Sequence, residues 1–350
     1  MNRGDQNEMV VLQQTGTRIA SGRGEGTRNP AISFTRLISM LLIITCHIMQ
    51  YCNMELAYWF NIGVQIFLCV SGYLYGDRQI KNVKDFYYRR FIKILKPYYV
   101  VFIAYGTLLY FFFDELFDIR VFLRGLFLNR TLSGAGHLWF VPLILMCYMI
   151  TPLLEVFRDN YVCGRKSLIL FVSLSAEIAV VFFFLFAPFY NPIWICCYIL
   201  GYGLAVNANI DAYKERTIVI IFGVLAALGG MVQCYYSYVI NSTFIGYQYF
   251  CNLVHLSLGI FLFLMLKIVI SRIQIDKRFT RTISFSDEYS YEIYLVHQIL
   301  ILSPFSLMEI TPFKTVNIAA ILIMSIALAY VVKRITQIRW AEFLLGSLRF

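Results

Sequence analysis

The chain has 350 residues, 59% of them hydrophobic and only 14% charged, with 31 Phe and 25 Tyr. That is more apolar surface than one soluble domain of this length hides, and apolar runs long enough to cross a bilayer recur between short polar connections. The net charge of +10 raises nucleic acid as a partner, but where the cations fall makes that unnecessary. The expectation is an all-α, polytopic integral membrane protein.

In chain order, the first 29 residues are polar, with Ser21-Gly22-Arg23-Gly24-Glu25-Gly26, and read as a disordered cytoplasmic tail. About ten transmembrane helices are expected, near 31–51, 60–76, 98–113, 138–157, 168–187, 192–206, 217–236, 249–270, 291–308 and 316–333. The first lacks a small-residue cleavage site and reads as a retained helix. With the N-terminus inside, 26 of the 30 Lys and Arg fall on cytoplasmic segments or their ends; Arg120, Arg124, Arg130 and Lys314 are the rest. That asymmetry predicts both termini cytoplasmic, with residues 30–335 as the membrane domain and 336–350 as a C-terminal tail. Anionic membrane lipid accounts for the charge, and no nucleic acid is expected.

The first span carries Arg36-Leu-Ile-Ser-Met-Leu-Leu-Ile-Ile-Thr-Cys-His47. Ionisable groups inside apolar spans are costly and commonly functional. An offset of eleven residues brings the two side chains to one helix face, roughly 16 Å apart. A basic anchor near one surface and an imidazole deep inside follow.

The second span holds Phe67-Leu-Cys-Val-Ser71-Gly72-Tyr73. Small residues of this kind let helices approach closely, or shape a pocket beside the first span. Residues 77–97 are the most basic connection, with Arg89, Arg90, Lys93 and Lys96 ahead of Pro97. Pro97 is expected in the first turn of the third span, where its missing N–H costs nothing. Arg90 and Lys93 share a helix face and suit a phosphorylated ligand, although topology alone explains such cations. The outer connection 114–137 sets Phe117, Val121, Phe122, Leu126 and Phe127 between charges and predicts an amphipathic surface helix.

Gly136-His137-Leu138-Trp139-Phe140 opens the fourth span, where aromatics usually anchor the interface. Glu177 is expected to face a polar cavity, and His255 to be a satisfied interhelical hydrogen-bonding group. Ser290-Tyr-Glu292-Ile-Tyr294-Leu-Val-His297 opens the ninth span. The nine cysteines, at 46, 52, 69, 147, 163, 196, 197, 234 and 251, show no metal-ligand spacing and read as packing residues. No metal is expected.

Taken in order, these blocks resemble the membrane acyltransferase-3 family, bacterial proteins that O-acylate cell-surface glycans. The family pattern is Arg or Lys, ten residues, then His (Arg36 and His47), followed by an aromatic–Ser-Gly–aromatic block (Phe67 to Tyr73). Next come Arg-x-x-Arg with a following Pro (Arg90, Lys93, Pro97), a His-Leu-Trp block (His137 to Trp139), and Ser…Tyr-Leu-x-His (Ser290 to His297). The resemblance covers about residues 30–335. Lys93 stands where the family commonly has Arg, which keeps the charge and loses the planar fork.

The resemblance implies an O-acyltransferase, with acetyl the leading acyl group, in the bacterial cytoplasmic (inner) membrane. Acetyl-CoA, or another acyl-coenzyme A, would be the cytoplasmic donor. A hydroxyl of a lipid-linked saccharide or surface glycan would be the acceptor. Arg89, Arg90 and Lys93, with Arg36, would hold the phosphates of coenzyme A. Ser71, Tyr73, His137, Trp139, Tyr294 and His297 would shape the substrate pocket. His47 and Arg36 would be catalytic, His47 as general base, since an imidazole of pKa about 6.5 accepts a proton at neutral pH, or as a covalent acyl relay. With no extracytoplasmic hydrolase-like domain fused to it, the chain is expected to finish transfer alone or pass the group to a separate partner. A glycan exporter or small-molecule transporter is the competing reading, but no inverted repeat or clearly Pro-broken helix pair supports it. A membrane scaffold without catalysis is the third.

Overall fold

A computed structural model describes residues 29–161, 167–186, 193–206, 212–273 and 277–338, which are helical or in short connections, with no strand among them. Cys163 and the expected tails, apart from Asn29 and residues 336–338, lie outside the described residues. Helix α1 (Pro30–Tyr51) starts cleanly: Asn29 Oδ1 accepts the Ala31 N–H at 3.0 Å, and Pro30 takes the first helical position. A single turn, α2 (Ala57–Phe60), leads into α3 (Ile62–Gly76).

Helix α4 (Val83–Phe112) corrects the expectation for Pro97. It begins fourteen residues earlier than a first-turn proline would require, because Asn82 Oδ1 accepts the N–H groups of Lys84 and Asp85. Pro97 is therefore interior, and the basic run 89–96 is a helical extension instead of a loop. An interior proline interrupts backbone bonding in the preceding turn. At that turn the Tyr291 hydroxyl donates to Ile94 O at 2.9 Å. Pro152 is likewise inside a helix, the one over Phe140–Tyr161.

The connection 114–137 does form a helix, α5 (Ile119–Leu126), capped by Asp118. Phe122 stacks on Phe102 of α4 at 5.4 Å, while Phe127 stays exposed. A 3-10 turn (Gly136–Trp139) then feeds α6 (Phe140–Tyr161). The remaining helices are α7 (Ser167–Phe186), α8 (Ile193–Val206), α9 (Ala212–Cys234), α10 (Tyr247–Arg272), α11 (Lys277–His297), the turn α12 (Ile299–Leu302) and α13 (Lys314–Gln337).

Among the described residues, seven helices are long and apolar enough to cross a membrane: Pro30–Tyr51, Ala57–Gly76, Val83–Phe112, Gly136–Tyr161, Glu215–Ile240, Tyr247–Arg272 and Lys314–Gln337. Of the other three expected spans, 168–187 falls on α7, whose side chains are described only over Ile169–Ile178, an apolar stretch in which Glu177 is exposed instead of facing a cavity; the remaining two differ from expectation. Helix α8 has 14 residues, most of them buried, and serves as a core helix. The stretch 291–308 is not one helix: α11 ends at His297, α12 adds one turn, and Ser303 leaves the helix in extended conformation.

Helix α1 sits at the centre, packed by α3, α10 and α11, while α3 also packs along α8. The α3–α8 contact is backbone on backbone. A Cβ on Gly72 would collide with Tyr198 O, and one on Gly201 with Cys69 O. The Ser-Gly pair of the second span is therefore a packing device, as small residues in membrane helices usually are. Of the eight described cysteines all are free and six are buried, consistent with packing.

Candidate active site

The central feature is a cluster of three imidazoles from three elements. His47 comes from α1, His137 from the 3-10 turn before α6, and His297 from the last residue of α11. Ring centroids are 5.2 Å apart for His47–His297, 5.2 Å for His137–His297 and 6.3 Å for His47–His137. The sequence separates them by up to 250 positions; helix packing closes the gap.

Each ring has one nitrogen committed as a donor. His47 Nδ1–H donates to Gln50 Oε1 at 2.7 Å. His137 Nε2–H donates to Leu295 O at 3.0 Å, and His297 Nδ1–H to Tyr294 O at 2.8 Å. A carbonyl oxygen can only accept, so the neutral tautomers follow, and each ring keeps a lone pair on its other nitrogen. His137 Nδ1 and His297 Nε2 are buried without a hydrogen-bond partner. His137 and His297 are almost fully covered, at 3% and 0% exposed, whereas His47 is half-buried. His47 is thus the member of the cluster that a substrate reaches most readily.

The surroundings hold the rings in place. Gln298 Oε1 accepts the His137 backbone N–H at 2.7 Å, and the Tyr294 hydroxyl donates to His137 O. Trp139 stacks on Trp194 of α8 at 4.1 Å. Ser71 and Tyr73 go elsewhere. The Ser71 hydroxyl donates to Phe67 O in its own helix, and Tyr73 packs against Phe263 and Lys267 of α10.

At the opposite end of α1, Arg36 Nη1 pairs with Asp287 Oδ1 of α11 at 2.6 Å, and Ser33 Oγ donates to Asp287 Oδ2 at 3.0 Å. The guanidinium also lies 5.3 Å from the Phe67 ring centroid. A cavity of about 770 Å³ opens here, with Arg36, Arg78, Lys93, Lys96 and Lys333 among its lining, together with Asp287, Glu288 and Glu292. Its size is that of small-molecule sites in general.

The expected cation cluster is divided between two cavities. Lys93 lines the Arg36 cavity, whereas Arg89 and Arg90 line a neighbouring one of about 440 Å³. Arg78 borders both. Arg90 sits 5.0 Å over the Tyr75 ring, and the exposed Arg89 reaches Asp85 at 3.8 Å. His255 also differs from expectation. It is packed between Tyr58 (4.4 Å) and Trp59 (5.6 Å), and its Nε2 has no partner.

Three participants escaped the sequence reading: Asp287, Gln50 and Gln298. Gln50 had a local signal, standing three residues after His47 on the same helix face. An apolar helix carrying Arg36 also called for a buried acid, but nothing in the sequence singled out Asp287.

Neither a search of curated proteins nor one of solved structures finds a match. The acyltransferase domain family, however, matches residues 29–334, which span the helices from α1 almost to the end of α13 and contain both ends of the α1 path. The five blocks that carry the three imidazoles, the Arg36 anchor and the cationic helix α4 all fall within that match, and the chain belongs to the membrane acyltransferase-3 family.

Proposed function

We propose that this protein is an O-acyltransferase that moves an acyl group, most simply acetyl, from cytoplasmic acyl-coenzyme A to a hydroxyl of a lipid-linked or cell-surface glycan. The observation that carries this reading is the imidazole cluster, with its fixed tautomers and its single accessible member. His47 Nε2 accepts the proton of the acceptor hydroxyl as that oxygen attacks the thioester carbonyl. The carbon–sulfur bond breaks, and the coenzyme A thiolate leaves and takes up a proton. Gln50 orients the His47 ring, and the buried His137 and His297 fix its position.

The cavity at the Arg36 end supports a phosphorylated donor, since five cations meet there. Asp287 holds Arg36 in a defined position against Phe67 and Glu288 pairs with Lys333 at 2.9 Å, so carboxylates position both cations on the cavity that Lys93 also lines. The positive-inside rule supports a cytoplasmic position for this end, in keeping with a proposed bacterial inner-membrane location.

Purified protein in liposomes with radiolabelled acetyl-CoA and a glycan acceptor tests the reading. Label in the glycan supports it; substrate flux without thioester cleavage sinks it in favour of a transporter. Label retained on the protein when acceptor is withheld would make His47 an acyl carrier in place of a base.

A further inference from the structure

A second recess lies at the same end of the bundle as His47, and the acyl-transfer chemistry does not use it. It is lined by Tyr58, Trp59, Gln233, Ser237, Tyr247 and Asn252, among others, and encloses about 260 Å³. Tyr58 and Trp59 belong to α2, the turn next in sequence after the His47 end of α1. Behind their rings stands His255 of α10, and α10 packs along α1.

Two properties define what fits. No charged side chain among the described residues lines the recess, so it offers nothing to a phosphate or carboxylate. It does offer aromatic faces beside amide and hydroxyl groups. Gln233 is 4% exposed, and its Oε1 has no hydrogen-bond partner. A buried acceptor left unpaired is unfavourable, and a ligand hydroxyl would satisfy it. Tyr247 is held in place, its hydroxyl donating to Gln233 O at 3.1 Å and lying 2.6 Å from Ser237 Oγ. Aromatic ring faces next to an unpaired neutral acceptor and to hydroxyl and amide groups complement a sugar, which has C–H faces and hydroxyl edges.

We propose that this recess binds a neutral saccharide unit of the acceptor glycan, away from the hydroxyl being acylated; this rests on the acyl-transfer reading above. The full-length protein in lipid nanodiscs, free of glycoside detergent, is titrated with maltotriose, chitotriose and the acidic trigalacturonate by saturation-transfer NMR. At least one neutral trisaccharide is expected to show saturation transfer, and the acidic one none. Tyr58→Ala and Gln233→Leu should each weaken binding about tenfold, the loss of one good contact. Asn252→Ala, at a half-buried position, gives a third test with less demand on folding, and an unchanged unfolding midpoint certifies each variant. Absence of both neutral sugars, equal binding of the acidic one, or unaltered affinity in all folded variants overturns the proposal. His47→Ala protein should bind sugar normally. Undiminished acyl transfer by that variant would sink only the role of His47, whereas absence of acyl transfer by the wild-type protein would sink the acyl-transfer reading and leave the saccharide site to be judged on binding alone.

Discussion

His137 and His297 face each other at 5.2 Å, and each commits one ring nitrogen to a backbone carbonyl of α11 while leaving the other buried and unpartnered. Two buried lone pairs next to a half-buried third imidazole form a local acceptor environment that a protonated His47 would share. Replacing His297 by Phe keeps the ring volume and removes the acceptor. Transfer activity is expected to fall about tenfold or more, with the unfolding midpoint nearly unchanged; equal activity would reduce His297 to packing.

The Arg36–Asp287 pair is the most directly testable stabilising contact. Asp287→Ala leaves a guanidinium, 23% exposed, facing a vacancy, and should cost about 3 kcal/mol in thermal or chemical unfolding. The double variant Arg36→Met/Asp287→Ala should lose less than the two single losses combined. Strict additivity would show that the two groups do not interact.

Backbone approach of α3 to α8 leaves no room at Gly72. Gly72→Ala pushes against Tyr198 O and is expected to destabilise the protein by about 1–3 kcal/mol. A variant that expresses and unfolds like the wild type would contradict the packing.

The division of the cation cluster separates two residues that the sequence places four apart. Lys93→Ala should raise the apparent KM for acyl-coenzyme A several-fold. Arg89→Ala, at an exposed position paired only loosely with Asp85, should leave it within a factor of about two. Equal effects would mean that charge at this end acts diffusely, not through the Arg36 cavity.

Tyr291→Phe removes the hydroxyl that serves Ile94 O at the proline turn of α4. A loss of about 1 kcal/mol is expected, read as an earlier unfolding midpoint. No change would mean that water replaces the hydroxyl there.

Much of this arrangement is legible in the sequence, and the rest fails for identifiable physical reasons. The helices and the Arg36–His47 register follow from apolar run length and helix geometry, because both are local. The start of α4 was also written locally, in Asn82 with Asp85 three residues on, but the hydropathy step near Pro97 is the louder signal and points to the wrong boundary. The interruption at 297–303 has the same character: Leu300 and Ile301 are apolar enough to prolong a span, whereas the chain leaves the helix at Ser303. Contacts made only by packing, such as Arg36 with Asp287 or His137 with Leu295 O, join residues more than 150 positions apart. No periodicity announces them. Ser71 and Tyr73 show the reverse: a block that marks the family strongly, while the Ser71 hydroxyl returns to its own helix and Tyr73 packs against α10, neither at the imidazoles.

The central claim is that His47 carries the chemistry, and one comparison tests it most directly. O-acylation of the glycan acceptor is measured with His47→Ala protein shown to be inserted and folded to wild-type levels. A fall of about 100-fold or more in kcat, with the apparent KM for acyl-coenzyme A unchanged, is the predicted result. Wild-type O-acylation by that variant would contradict the account.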